Sequence, residues 1–177
     1  MPLYPRTHST PRLGLRPITF GDFEAIHGLN ADPEVMRHIG TGIRDRAESA
    51  AHLDKLVRHW TEHGFGPWAM VDPTTDRVIG RCGLQHYDGT DEVELSYALA
   101  PAHWGRGLVL EAAAVALDFG FRALNLERII ATVRPANARS HRVLEKLGML
   151  PIAPRERYGH LVDVFAISRA LISDGGR

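Results

Sequence analysis

At 177 residues the chain predicts a single domain, large enough to bury a core without disulfide or metal staples. Its 21 Lys and Arg balance 21 Asp and Glu, so no global field exists to hold nucleic acid or an anionic membrane. The 44% hydrophobic and 24% charged residues exclude general disorder and fibrous repeats. Cys82 is the only cysteine, which excludes an internal disulfide framework and favours a reducing compartment. Arg6 and Arg12 are not followed by the apolar core of a signal peptide, and the apolar run Ala112 to Leu117 is far short of a membrane span. The expectation is a cytoplasmic protein, monomeric or homodimeric, with neither nucleic-acid nor membrane partners.

Residues 1–10, polar and with two prolines, read as a loose tail before a domain over 11–172, with a short C-terminal tail over 173–177. Leu13, Leu15 and Pro17 alternate in a strand pattern over 11–18. Thr19, three residues before Asp22, opens a helix with Phe23, Ile26 and Leu29 on one face; Asp32-Pro33 stops it, and a short helical stretch follows over 33–38. Residues 46–63 carry Leu53, Leu56 and Trp60 at helical spacing and end at Gly64. Two period-two runs, 67–71 and 77–84, flank the turn DPTTD as a hairpin, and a third strand over 92–100 ends at Pro101. A helix over 107–124, a strand over 128–133, a helix over 137–147 closed by Gly148, and strands over 149–155 and 162–170 complete the domain. The order indicates an α/β (α+β) domain with a mixed sheet and about four principal helices on its faces.

The stretch from Pro101 to Ala112 carries the clearest chemistry. A strand stops at a proline, Trp104 follows, and Gly105-Arg106-Gly107 leads directly into a helix. Glycines let the backbone approach a ligand, and the free N–H groups of the helix start attract an anion such as a pyrophosphate. The turn is neither a P-loop nor a dinucleotide fingerprint, and alone it reads equally well as a structural turn. Glu94-Leu-Ser-Tyr-Ala-Leu on the preceding strand, Trp104-Gly-Arg-Gly, Glu111-Ala112 and the later Asn137-Ala-Arg-Ser140-His-Arg-Val-Leu-Glu-Lys-Leu-Gly148 together resemble the GNAT N-acetyltransferases over about residues 12–171. Within that family they look like the branch of ribosomal-protein N-terminal acetyltransferases.

The resemblance implies acetyl-CoA as donor, no metal, and a splayed, mostly antiparallel sheet. It places the pyrophosphate on backbone amides around Trp104, Arg106, Gly107, Val109 and Leu110. The pantetheine arm would meet the backbone of Tyr97, Ala98 and Leu99 and the side chain of Asn137, with Arg142 at the 3′-phosphate end. Val109 stands where the family signature has Gly or Ala, and its extra bulk would crowd the phosphates. Glu94 is implied as the base, directly or through water; as a bare sequence feature it also reads as a surface carboxylate. Leu144 replaces the tyrosine that supplies the acid in many members, and Ser140 is implied as the group that protonates or orients the CoA sulfur. A hydroxyl bonded within its own helical turn is the competing reading of Ser140. Tyr97 is expected to pack in the core, and Glu111 to serve the fold.

The acceptor implied is the amine of a peptide or protein N-terminus, with small amines (amino sugars, polyamines, antibiotics) as the rival within the class and a non-catalytic acyl-CoA-binding domain as a rival outside it. Phe65, Trp68, Arg157 and Tyr158 are candidates for the acceptor groove, and His86 and His103 for its lining. His59-Trp-Thr-Glu-His63 spells the inverted zinc-peptidase pattern H-x-x-E-H, but no third ligand is marked and a solvated helix end is expected. Cys82, between Arg81 and Gly83 in a strand, reads as a buried small residue rather than an acyl-accepting thiol.

Overall fold

The DPTTD hairpin expected from sequence forms the centre of one sheet. In the computed structural model, which describes residues 6–170, strands β3 (Pro67–Asp72) and β4 (Arg77–His86) pair antiparallel, and Asp72 closes their turn by accepting the Thr74 N–H at 2.8 Å. Outside β3 lie β2 (Gly14–Pro17) and β1 (His8–Ser9); beyond β4 lies β5 (Val93–Leu99). The second half adds β6 (Arg128–Val133) and the hairpin β7 (Leu150–Arg157) and β8 (His160–Ser168), turning at Tyr158 and Gly159, both with positive φ. The eight strands run β1-β2-β3-β4-β5-β6-β8-β7, antiparallel except at β5–β6. β5 and β6 register only at Glu94 opposite Ile130, so from Ser96 to Leu99 the β5 edge toward β6 has no strand partner. The sheet splays there.

Five helices among the described residues cover the faces: α1 (Phe23–Ala31), the single turn α2 (Pro33–Met36), α3 (Arg46–His63), α4 (Leu108–Arg122) and α5 (Ala138–Lys146). The longest helix, α3, starts on a side-chain cap. Asp45 and Glu48 form a reciprocal capping box at α3, and left-handed Gly64 ends it. Strand alternation divides the core. Cys82, Leu84, Leu95 and Leu99 face α4 in the larger cluster, while Ala69, Val71 and Ala98 face Ile26, Leu29, Leu53 and Leu56 of α1 and α3 in the second.

One expectation is corrected here. The segment expected to be a loose tail is tied down where it is described: β1 pairs with β2, and the buried Trp68 indole donates to the Arg6 carbonyl at 2.8 Å. Prolines at 2 and 5 and the polar composition mask a two-residue edge strand. Residues 1–5, and the C-terminal tail expected over 173–177, lie outside the described residues.

Candidate active site

Where β5 leaves β6, a cavity of about 260 Å³ opens between the sheet, the loop before α3, α3 itself, the start of α5 and the β7–β8 hairpin. Glu94, Tyr97, Asn137 and Ser140 all line it. Glu94 is only 3% exposed. Its Oε1 accepts from the Thr132 hydroxyl and from Arg157 Nη1 at 2.6 Å, while Oε2 has no hydrogen bond among the described residues. Burial works against the charge of Arg157, but the neighbouring Glu94 carboxylate more than offsets it, and the guanidinium pKa is raised. One carboxylate oxygen is therefore anchored and the other is free to work.

Tyr97 packs against the main core cluster as expected, and its phenol lies close enough to the Ser140 side chain to interact with it electrostatically. Burial pushes that phenol up to about 12, so it stays a proton donor at neutral pH. Leu144 is 1% exposed in the same wall and offers no proton. Asn137 caps α5, its Oδ1 accepting the Ser140 N–H at 3.2 Å, and its amide N–H₂ has no hydrogen-bond partner among the described residues.

The glycine turn stands on the other side of β5. Gly105 and Gly107 have φ of +74° and +75°, and Gly107 forms the N-terminal boundary of α4. Trp104 bends the chain there by donating its indole N–H to the Leu99 carbonyl at 2.7 Å, with the Arg139 guanidinium over its ring. That carbonyl thus already accepts one hydrogen bond, and the edge of β5 from Ser96 to Leu99 that faces β6 has no strand partner. Val109, partly buried, packs against the main core cluster. Arg106 and Arg142 are exposed, and neither they nor Ala98, Leu110 and Gly107 line the cavity.

Arg12 is the residue that sequence reading missed at this turn. It donates to the Arg106 carbonyl at 2.6 Å and lies 3.6 Å from where a Gly107 Cβ would stand, held by Glu111 through a salt bridge of 2.6 Å. Glu111 also accepts from Thr10. Arg12 sits 95 residues before the turn, and no local pattern links the two.

Other candidates sort cleanly. Arg157 and Tyr158 line the cavity, whereas Phe65 and Trp68 are buried core residues. His103 contacts Arg106 at 3.4 Å and does not reach the cavity. His59 and His63 meet His86: His59 Nδ1–H donates to the Phe65 carbonyl at 2.7 Å, and its Nε2 accepts the His86 N–H at 3.0 Å. The end of α3 is thus packed on β4 rather than merely solvated, and Glu62 points to solvent. Cys82 is fully buried, which pushes its thiol up to about 12 and makes it a poor nucleophile. No described helix is long and apolar enough to cross a membrane.

Comparison with known proteins agrees with this geometry. Residues 12–150 match the family described as "Acetyltransferase (GNAT) domain". The "Uncharacterized N-acetyltransferase YnaD" of Bacillus subtilis is 31% identical over 141 residues, covering 80% of this chain and 81% of the relative. A "Spermidine N(1)-acetyltransferase" of Vibrio cholerae is 27% identical, covering 89% and 86%. The crystal structure of an acetyltransferase from Agrobacterium tumefaciens superposes with a TM-score of 0.82 at 29% identity, over 96% of this chain and 98% of that one. A ribosomal-protein-S5-alanine acetyltransferase from Vibrio fischeri shares the fold (TM-score 0.76, 19% identity, 92% and 96% coverage). Relatives of differing acceptor thus share this architecture, and the narrower branch expected from sequence does not follow from them.

Proposed function

The chain belongs to the GNAT acetyltransferase family, and from that premise we propose that it transfers acetyl from acetyl-CoA to a primary amine by direct attack within a ternary complex, with Glu94 as the base. The observation that carries this reading is the Glu94 carboxylate: buried at the sheet's splay, anchored through Oε1 and unpartnered at Oε2. A protonated amine cannot attack. Glu94 Oε2 takes its proton, directly or through one water, and the free nitrogen adds to the thioester carbonyl. The tetrahedral intermediate collapses with loss of the C–S bond, and the departing thiolate receives a proton from the Tyr97–Ser140 hydroxyl pair. The donor's phosphates lie on the N–H groups of the Gly105–Leu110 turn, with Arg12 and Arg106 beside them, and its pantetheine arm runs along the open edge of β5. Asn137 Nδ2 meets that arm and Arg142 the 3′-phosphate end.

The α-amine of a peptide or protein N-terminus is the acceptor class we favour, because its ordinary pKa near 8 asks less of a base than the 10.4 of a lysine amine. Spermidine, the substrate named for the Vibrio cholerae relative, fits less well. Arg44, Lys55, Arg81, Arg134 and Arg157 line the cavity against only Asp88 and Glu94, an environment hostile to a polycation. CoA-thiol release with pooled free-N-terminus peptides beside pooled polyamines tests this choice: turnover with the peptides is expected, and turnover confined to the polyamines would reverse it.

A further inference from the structure

Arg81 is the least explained charge in the molecule. It sits on β4 opposite Ala98 and Ala69, on the face that packs against α1 and α3. It is 5% exposed, and its Nε is sealed from solvent without a hydrogen-bond partner. Neither carboxylate of the cavity hydrogen-bonds it: Glu94 pairs through Oε1 with Arg157 and Asp88 with Lys55, and Glu94 acts on Arg81 only through space. Burial lowers the guanidinium to about 10, which still leaves it charged at neutral pH. Beside it stands Arg44, whose partners are the neutral Asn30 amide oxygen and Met36 sulfur, and Arg134, bonded to the Gly40 carbonyl, lines the same cavity. Ser96 Oγ, one register pair along the same face, is also buried without a partner. An isolated buried cation is strongly unfavourable unless something of opposite charge completes it.

We propose that Arg81, with Arg44 and Ser96, forms an anion subsite in the acceptor half of the cavity, so that the acceptor is a primary amine that also carries a carboxylate or phosphate several atoms from its nitrogen. The reading rests on the acetyl transfer described above and narrows its substrate. Its geometry keeps the two ends of the acceptor apart. Glu94 lies opposite Gln85, four residues along β4 from Arg81, about 13 Å of strand, spanned from both ends by long side chains. The amine is delivered to the carboxylate while the anionic group rests on the guanidinium. The donor's phosphates are not the subsite's occupant, because no residue of the glycine turn that receives them lines the cavity that Arg81, Arg44 and Ser96 line. An acidic side chain near a peptide N-terminus and an ω-amino acid present the same chemistry.

Matched acceptors separate these sources. CoA release would be measured for a peptide with Glu at its second position against the same peptide with Gln, and for 6-aminohexanoate against hexylamine. The acidic member of at least one pair is expected to have a kcat/KM at least about tenfold higher, the scale of one charge-assisted hydrogen bond. Arg81→Met should bring that ratio toward one. Preference in the peptide pair alone assigns the anion to a polypeptide, and preference in the small pair alone assigns it to a free amino acid. Turnover without preference in either pair overturns the subsite and leaves the transferase standing. The second readout needs no turnover: succinate should raise the wild-type melting midpoint by about 2 °C or more and leave Arg81→Met unmoved, while that variant melts higher than wild type without anion. Arg44→Gln, nearer the surface, gives a weakened succinate response should Arg81→Met fail to fold. Equal succinate responses in wild type and variants overturn the proposal even if acetyl transfer itself is absent.

Discussion

A carboxylate that must take a proton repeatedly needs one oxygen fixed and one oxygen free, and Glu94 has that arrangement. Replacing it by Gln keeps the bonds at Oε1 sterically possible but removes the base. Glu94→Gln is expected to lower kcat by about 10²- to 10³-fold with acetyl-CoA affinity changed by less than about threefold, as read by steady-state kinetics beside calorimetric titration. If the proposed acid is the Tyr97 phenol with Ser140 beside it, Tyr97→Phe should lower kcat more than Ser140→Ala, as read by steady-state kinetics. Equal and negligible effects of both would mean that the thiolate leaves to solvent unaided. Sequence pattern identified Glu94 and Ser140 because their strand and helix positions match a family motif. Tyr97 packs on the core as its strand pattern suggests, and the pattern alone does not show that it also lines the cavity. Arg81 was noticed only as the neighbour of Cys82; burial of a charge is a property of the fold and leaves no local trace.

The elements that hold the site were legible where the reason for them is local. Asp45 with Glu48, Gly64, Gly107 and the DPTTD turn all fix their own backbone, and the helices and hairpin expected around them are present. The departures are long-range: the His8–Ser9 strand exists only because β2 supplies its partner, and the splay after Glu94 reflects how β5 and β6 diverge. At the glycine turn, Gly107→Asp keeps an αL position that Asp tolerates better than most residues, and its Cβ meets only the Arg12 guanidinium. The fold should survive, while a carboxylate among phosphate-binding amides should raise the acetyl-CoA dissociation constant by at least about thirtyfold. Unchanged affinity in an equilibrium titration would remove the donor from this turn. In β4, by contrast, a Cβ on Gly83 would fall 2.7 Å from Pro67 Cα and 2.8 Å from the Gly66 carbonyl. Backbone cannot step aside cheaply, so Gly83→Ala should cost about 2 kcal/mol or more in a urea unfolding curve.

Across the whole molecule, the cavity concentrates cations that the balanced composition conceals. Zero net charge is compatible with five cationic side chains and two carboxylates around one space of about 260 Å³, because the remaining acids lie outside the cavity. His52 reports the cost. Burial first, then Arg81 and Arg44, depress it to about 2, so it is neutral when folded and binds a proton near 6.5 when unfolded. A depressed base favours the folded state least at low pH: its contribution is intact above about pH 6.5 and is lost as pH falls toward 2, at up to about 1.4 kcal/mol per unit. His59 and His86, lowered chiefly by burial, act in the same direction. His52→Gln should flatten the fall of stability between about pH 6.5 and 4, measured by denaturant midpoints; an unchanged slope would place the acid sensitivity elsewhere.

The most direct test of the account is acetyl-CoA-dependent acetylation of free-N-terminus peptides by wild type and by Glu94→Gln, followed together as CoA-thiol release and as a 42 Da mass gain on the amine, the mass of an added acetyl group. Matched thiol release and N-acetylation in wild type, with both falling about 10²-fold or more in the variant while acetyl-CoA still binds, is the predicted result. Full activity in Glu94→Gln, or tight acetyl-CoA binding by a wild type that acetylates no amine, would contradict it.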